Sequence, residues 1–286
     1  MDCAVIQIIV DISELQVGDV LLAPVGTTTP QHQVERLQVN GVRVVEMLRE
    51  PTLELAAVRL EATAEQAQLT YTINESRAGS VYPEAAFRPS HNVYTQPAVE
   101  LAEHSREVVA RAGGGYAGIA ALVAEAESRF AYAHPDVRFT DGLDQVPYLS
   151  CGTTPGSCID INTYLMASLH SAGYEAGYFF GYFFPAENNG RARDHHCWVV
   201  TRCQGEVIEW DIAHHLKAGL GPTQPGLNPR PGWRVALGHT MGHVYPTALG
   251  EASVRLLAEP HRITAEGHCE RVVVGIQALD TSRQRA

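Results

Sequence analysis

A two-residue break, Gln204-Gly205, between two β-prone runs constrains this chain more than any other feature. The runs span 196–203 and 206–212. A two-residue hairpin loop fixes the register of the strands it joins, so Cys203 faces Glu206. Counting back, Trp198 falls opposite Asp211 and His196 opposite Ala213. Side chains alternate along a strand, so His196 and Trp198 share one face and His195 points to the other. Asp211 becomes the diagonal neighbour of His196, about 7–8 Å away by backbone and within side-chain reach. A loop of odd length would reverse this parity.

The remaining pattern predicts an α+β chain. Runs at 5–10, 19–25, 42–47, 55–60 and 66–73 are rich in Val, Ile and Leu and are separated by breaks such as Asn40-Gly41. They read as a small β domain over 1–80. Residues 81–97 fall in a polar stretch carrying prolines, a linker or extended crossing segment. Two helical patterns follow, 99–112, stopped by Gly113-Gly114-Gly115, and 117–131. A loop leads to a third, 158–172, with Ile161, Tyr164, Leu165, Ser168 and Leu169 on one face and Gly173 just past its end. Residues 174–184 are aromatic and β-prone, 217–232 form a Gly/Pro-rich loop, and β-like runs recur at 234–237 and 271–279. The second unit therefore spans 98–280, followed by a frayed tail at 281–286.

Charge and apolar pattern exclude some functions. The net charge of −11 has no basic cluster to offset it, which disfavours nucleic acid and anionic membrane as partners. No stretch reaches the roughly 18 apolar residues of a membrane span. The opening residues lack a positive n-region, and the six cysteines include no CxxC pair. A cytoplasmic, reducing location is the expectation.

Cys158 follows Gly156-Ser157 and opens a predicted helix. The positive end of the helix dipole favours thiolate there, and the thiolate is the reactive form of cysteine. The first helical N–H groups converge on the same place and suit a developing oxyanion. A thiolate needs a base, and the base needs a group to orient it. The hairpin count selects His196 and Asp211 for those roles together. Gln145, in the loop before Cys158, is a candidate second oxyanion donor, and Trp198 a candidate to pack beside the site or touch substrate. The aromatic run at 178–184 suits strand packing, with part of it available to line a cleft.

These residues resemble the transglutaminase-like core of the wider papain-like cysteine group. Its first motif reads here as Gly156-Ser157-Cys158, continuing through Leu169 to Gly173-Tyr174-Glu175-Ala176-Gly177 and Gly181-Tyr182. The second, His-Ala-Trp, is His196-Cys197-Trp198; the third is Trp210-Asp211. The resemblance covers about 130–212 well, and the β-rich start is similar to a leading domain of many bacterial members. Departures are His170 in place of an Arg, and Tyr-Glu-Ala-Gly in place of Ile-Pro-Ala-Arg, so relatives' substrates do not carry over. The resemblance implies a nucleophile helix packed on an antiparallel sheet, with Cys158 as nucleophile, His196 as base and Asp211 orienting it. It implies acyl transfer from a peptide, protein or small amide through a thioester. Water resolves the thioester in a peptidase or amidase, the expected outcome, and an amine acceptor resolves it in a transglutaminase or amide synthase. The chemistry needs no cofactor.

Two rivals stand beside this reading. One is a non-catalytic scaffold, against which the three intact positions argue. The other is a metal site at His195/His196, His214/His215 or His239/His243. No HExxH is present, and Gly238 and Gly242 spoil a helix around the last pair, so no metal is expected.

Overall fold

The computed structural model describes residues 6–193, 195–248 and 250–280. Cys3, the first residue of the predicted 5–10 strand and the predicted 281–286 tail lie outside the described residues. The chain begins with β1 (Ile6–Ser13), β2 (Val20–Pro24), β3 (His32–Asn40), β4 (Val42–Arg49), β5 (Ala56–Ala62) and β6 (Ala67–Glu75). Helices α1 (Val99–Ala112) and α2 (Gly115–Arg129), short strands β7 (Phe130–Tyr132) and β8 (Thr154–Gly156), and helix α3 (Cys158–Ser171) follow. Then come β9 (Glu175–Pro185), β10 (Arg191–Ala192), β11 (His195–Cys203), β12 (Glu206–Trp210), α4 (Ile212–Ala218) and β13 (Gly232–His239). The last strands are β14 (His243–Thr247), β15 (Gly250–Val254), β16 (His261–Ile263), β17 (Cys269–Arg271) and β18 (Val273–Asp280).

The fold is α+β. Two antiparallel five-stranded sheets, ordered β10-β18-β1-β6-β3 and β17-β16-β2-β5-β4, draw on both ends of the chain. β1 pairs with β18 along its whole length, and β2 pairs with β16. Strands late in the 98–280 span thus complete sheets begun in the 1–80 span. Strict alternation explains the first strands: Ile8, Val10 and Ile12 face inward from β1 and meet Leu69, Tyr71 and Ile73 of β6 in one core. β3 (HQVERLQVN) carries its apolar residues only half-buried, so its sequence gives little strand signal.

The third sheet, β12-β11-β9-β13, holds the site. From Ala176 to Pro185, every residue of β9 is buried, because this strand is covered on both faces. Tyr178 and Phe180 pack with α3, whereas Tyr182 and Phe184 join the core of the two larger sheets through Val235 and Leu237. Ordinary packing accounts for the aromatic run. The segment 81–97 is built into the fold as well, with Tyr82, Ala86 and Phe87 packed against Phe179 and Trp198.

The hairpin has the expected register. Gln204 and Gly205 both have positive φ, 53° and 83°, as a type I′ turn requires. Cys203 pairs with Glu206, and Val199 with Trp210. The strand then stops: Asp211 is the N-cap of α4, its carboxylate accepting the His214 N–H. Ala213 is therefore helical and not opposite His196, since the helix start takes the chain off the sheet one residue after Trp210.

Candidate active site

Cys158 is the first residue of α3. The helix start is held rigidly. Asp160 reaches back to accept the Ser157 N–H at 2.9 Å and the Ser157 hydroxyl at 2.8 Å, the carboxylate half of a capping box. Arg138, from the preceding loop, donates to the same carboxylate oxygen at 2.6 Å. Gly156 has no room for a side chain: a Cβ there would stand 2.6 Å from the Phe130 ring. One α3 residue ties the helix to the strand bearing the histidine, as Asn162 Nδ2 donates to the Cys197 carbonyl at 2.9 Å. Cys158 and His196 are thereby fixed relative to each other.

His196 lies near the start of β11, in register with Gly181 on β9. A Cβ at Gly181 would stand 1.9 Å from the Val235 carbonyl, so glycine lets β9 and β13 close beneath the histidine. His196 Nε2 donates to Asp211 Oδ2 at 2.9 Å. The ring is also hydrogen-bonded to the Cys158 thiol, a contact that falls to Nδ1 because Nε2 is committed to Asp211. Cys158, His196 and Asp211 are thus brought together in the order of a nucleophile, a base and an orienting carboxylate.

The electrostatics follow from burial and contact. Burial works against a charged His196 ring, but the charge of Asp211 and its hydrogen bond outweigh it and raise the imidazole to about 9. A hydrogen bond from Cys197, opposed by burial and supported by the hydrogen bond and charge of His196, holds the Cys158 thiol well below its usual range. Burial and the neighbouring Cys158 push Cys197 well above the usual thiol range, so it stays a protonated donor. The two shifts together favour the thiolate–imidazolium form of the pair. Replacing Cys197 with Ala is expected to raise the Cys158 pKa. The acid limb of the pH–alkylation profile should then move to higher pH, while the plateau rate above it rises because the more basic thiolate is the better nucleophile. Unchanged alkylation in stopped-flow or mass-spectrometric time courses would remove Cys197 from this account.

Two residues of the site were not expected there from the sequence, which marked Arg234 only as the start of a β-like run and His214 only as a candidate metal ligand. Arg234, on β13 and 4% exposed, donates to Asp211 Oδ2 at 2.7 Å. Its guanidinium also lies 5.0 Å over the Trp198 ring. His214 stacks on His196 with ring centroids 3.9 Å apart and planes 6° from parallel. Its Nδ1 is 3.0 Å from Asp211 Oδ2 but off the line of a hydrogen bond. Burial and the charge of His196 lower His214 to about 4, leaving it neutral. The spacing Asp211-x-x-His214 is the signal that would have located it, because a helix N-cap brings those two positions together.

Two expected site residues lie elsewhere. Gln145 is exposed and does not line the cavity over Cys158, because the adjacent Val146 is the residue that turns inward, bridging to Pro97. Trp198 is fully buried behind His196, their ring centroids 6.4 Å apart. It borders a separate cavity beside Arg234, whose lining does not include Cys158. Of the aromatic run, Phe183 lines the cavity over Cys158, with its ring 4.5 Å from that of His214.

Among the described residues, His196, Asp211 and His214 stand close enough to share a cation. The donors present do not suit one. Asp211 Oδ2 already accepts from both Arg234 and His196, and the Arg234 charge repels a metal at that oxygen. His239 and His243 are buried and engaged with Thr240 and backbone carbonyls.

Residues 102–210 match the family model described as the transglutaminase-like superfamily. Over those residues the chain is similar to a transglutaminase-like core. That match supports a cysteine-dependent enzyme in general terms. Among solved structures, the chain is similar to a candidate cysteine protease from Cytophaga hutchinsonii, at 13% identity and a TM-score of 0.54. The likeness covers 98% of this chain and 99% of that one, and establishes the fold. The periplasmic domain of TgpA from Pseudomonas aeruginosa, bound to ethylmercury, is 18% identical with a TM-score of 0.38, over 70% of this chain and 72% of that one. No curated protein sequence matches the chain. Among the described residues, no helix is long and apolar enough to cross a membrane.

Proposed function

We propose that the chain is a cysteine-dependent acyl-transfer enzyme that hydrolyses amide or peptide bonds through a thioester. The observation that carries this is the Cys158–His196–Asp211 line, set at a helix N-terminus and opening into a cavity of about 250 Å³. The Cys158 thiolate attacks the carbonyl carbon, forming a C–S bond. The oxyanion develops against the free N–H groups at the start of α3. The C–N bond then breaks, and His196 gives its proton to the departing amine. In the second half, water attacks the thioester as His196 takes a proton from it. The C–O bond forms, the C–S bond breaks, and a carboxylic acid leaves. Exposed side chains, including His134, Arg193 and Lys217, rim the cavity, giving water a route to the thioester.

Brief iodoacetamide treatment with mass spectrometry of all six cysteines tests the reading. Cys158 is expected to label fastest, and to lose that advantage in His196→Ala. Reactivity should persist to pH values well below the ordinary thiol range, because the thiolate is already formed there. Turnover should instead fall on the alkaline side near pH 9, where His196 loses the proton it gives to the leaving group. An inert Cys158 would return the scaffold reading to the front. Assays of amide substrates with and without an added primary amine then separate hydrolysis from transfer.

A further inference from the structure

The cavity over Cys158 has a charge opposite to that of the chain. The protein carries 32 Asp and Glu against 21 Lys and Arg. Yet among the described residues that line this cavity there are three fixed cations, Arg193, Lys217 and Arg230, together with His134 and His195, and no carboxylate. These cations come from separate elements: Arg193 follows β10, Lys217 lies in the last turn of α4, and Arg230 precedes β13. Arg193 has no ion pair with any described residue, and the Lys217 amine rests 5.2 Å over the Tyr132 ring with its charge intact. Arg230 pairs with Glu187, which lies in an adjoining cavity of about 570 Å³ reached past Asn188 and Arg193. Asp11 also lines that second cavity. Among the described lining residues, Glu187 and Asp11 belong to the second cavity, Lys217 to the one over Cys158, and Arg193 to both.

We propose that this site selects an acyl donor carrying a carboxylate next to the scissile carbonyl, namely a peptide with Asp or Glu flanking the cleaved bond. The inference rests on Cys158 being the nucleophile. A low-dielectric recess lined by one sign of charge concentrates the opposite sign. The two cavities share Asn188 and Arg193 in their linings, which places the second beside the scissile position. A neutral or basic peptide would leave Arg193 and Lys217 unpaired and gain nothing from them.

The test compares two alkylating agents of similar size, anionic iodoacetate and neutral iodoacetamide, on the wild-type chain and on Arg193→Gln, Lys217→Gln and the double variant. Both cations are exposed, so the fold should tolerate their loss. The iodoacetamide rate reports the thiolate, and the ratio of the two rates reports the field above it. The ratio is expected to fall about two- to fivefold for each cation removed, the scale of exposed charge pairs, and to fall in the wild type with added salt. Peptide amides differing only in Asp against Asn beside the scissile bond should show a raised KM for Asn, an advantage lost in the double variant. If both agents label Cys158 selectively but the ratio is the same in every variant, the anion preference is overturned and the nucleophile stands. If neither agent labels Cys158 in the wild type, the nucleophile assignment falls and this proposal falls with it.

Discussion

Replacing Cys158 with Ala is expected to lower turnover by about 10⁶-fold, the scale seen when the nucleophile of a catalytic triad is removed, while the fold survives. The structure explains why the two effects separate. Cys158 is 5% exposed and its sulfur meets Cys197 and His196, but the helix start does not depend on it. Asp160, Arg138 and Ser157 hold that turn, and Asn162 ties it to β11. Losing one sulfur should therefore cost about 1 kcal/mol of stability, the middle of the range for single substitutions. His196 keeps its bond to Asp211. Thermal unfolding and amide turnover, measured on the same preparation, read both quantities. Cys151 is exposed in the loop before α3, and Cys151→Ala is the control expected to change neither. Retained turnover in Cys158→Ala would sink the assignment outright.

What could be read in the sequence was whatever local geometry fixes. The type I′ turn at Gln204-Gly205 sets a register by itself, so counting from it brought His196 and Asp211 to one face. The same count failed one residue past Trp210, because Asp211 both ends the hairpin and caps a helix. That helix has only seven residues, Ile212–Ala218, too few to show a period. Arg234 reaches Asp211 from 23 residues further along, and nothing in its surroundings distinguishes it from a surface arginine until the sheet is assembled. Gln145 failed for a similar reason: which of two adjacent loop residues turns inward depends on a bridge from Val146 to Pro97. Closure of the two large sheets by β16 and β18 also lies beyond local pattern, since those pairings join residues more than two hundred positions apart, as Ile6 with Asp280.

Asp211→Asn should damage both activity and stability, with a pH signature that distinguishes it from a simple packing defect. The carboxylate is fully buried. Its Oδ2 accepts from His196 at 2.9 Å and Arg234 at 2.7 Å, and its Oδ1 accepts the His214 N–H at 3.1 Å. An amide cannot reproduce this: whichever way it turns, its NH2 group meets a donor. It also leaves Arg234 buried without a counter-charge, a change that typically costs about 3–5 kcal/mol. Turnover should drop by about 10⁴-fold, as when the orienting Asp of a triad becomes Asn and the histidine takes the wrong tautomer. His196 is held at about 9, above its ordinary 6.5, mainly against burial by the Asp211 charge. Its share of stability is thus complete below 6.5 and lost as pH rises through about 9. Asp211, held well below its ordinary 3.8 by His196 and Arg234 despite burial, contributes above 3.8 and loses that contribution as pH falls further. The gap in unfolding free energy between wild type and variant should therefore be widest between about pH 4 and 6.5 and narrow toward pH 9. Denaturant unfolding at pH 6 and pH 9 measures it. The residual gap at pH 9 is the cost of stranding Arg234, whose charge does not titrate in that range. A gap of equal size at both pH values would mean that His196 draws no charge stabilisation from Asp211. The imidazolium would then lack its counter-charge, and the proton that the leaving amine requires would have to come from elsewhere.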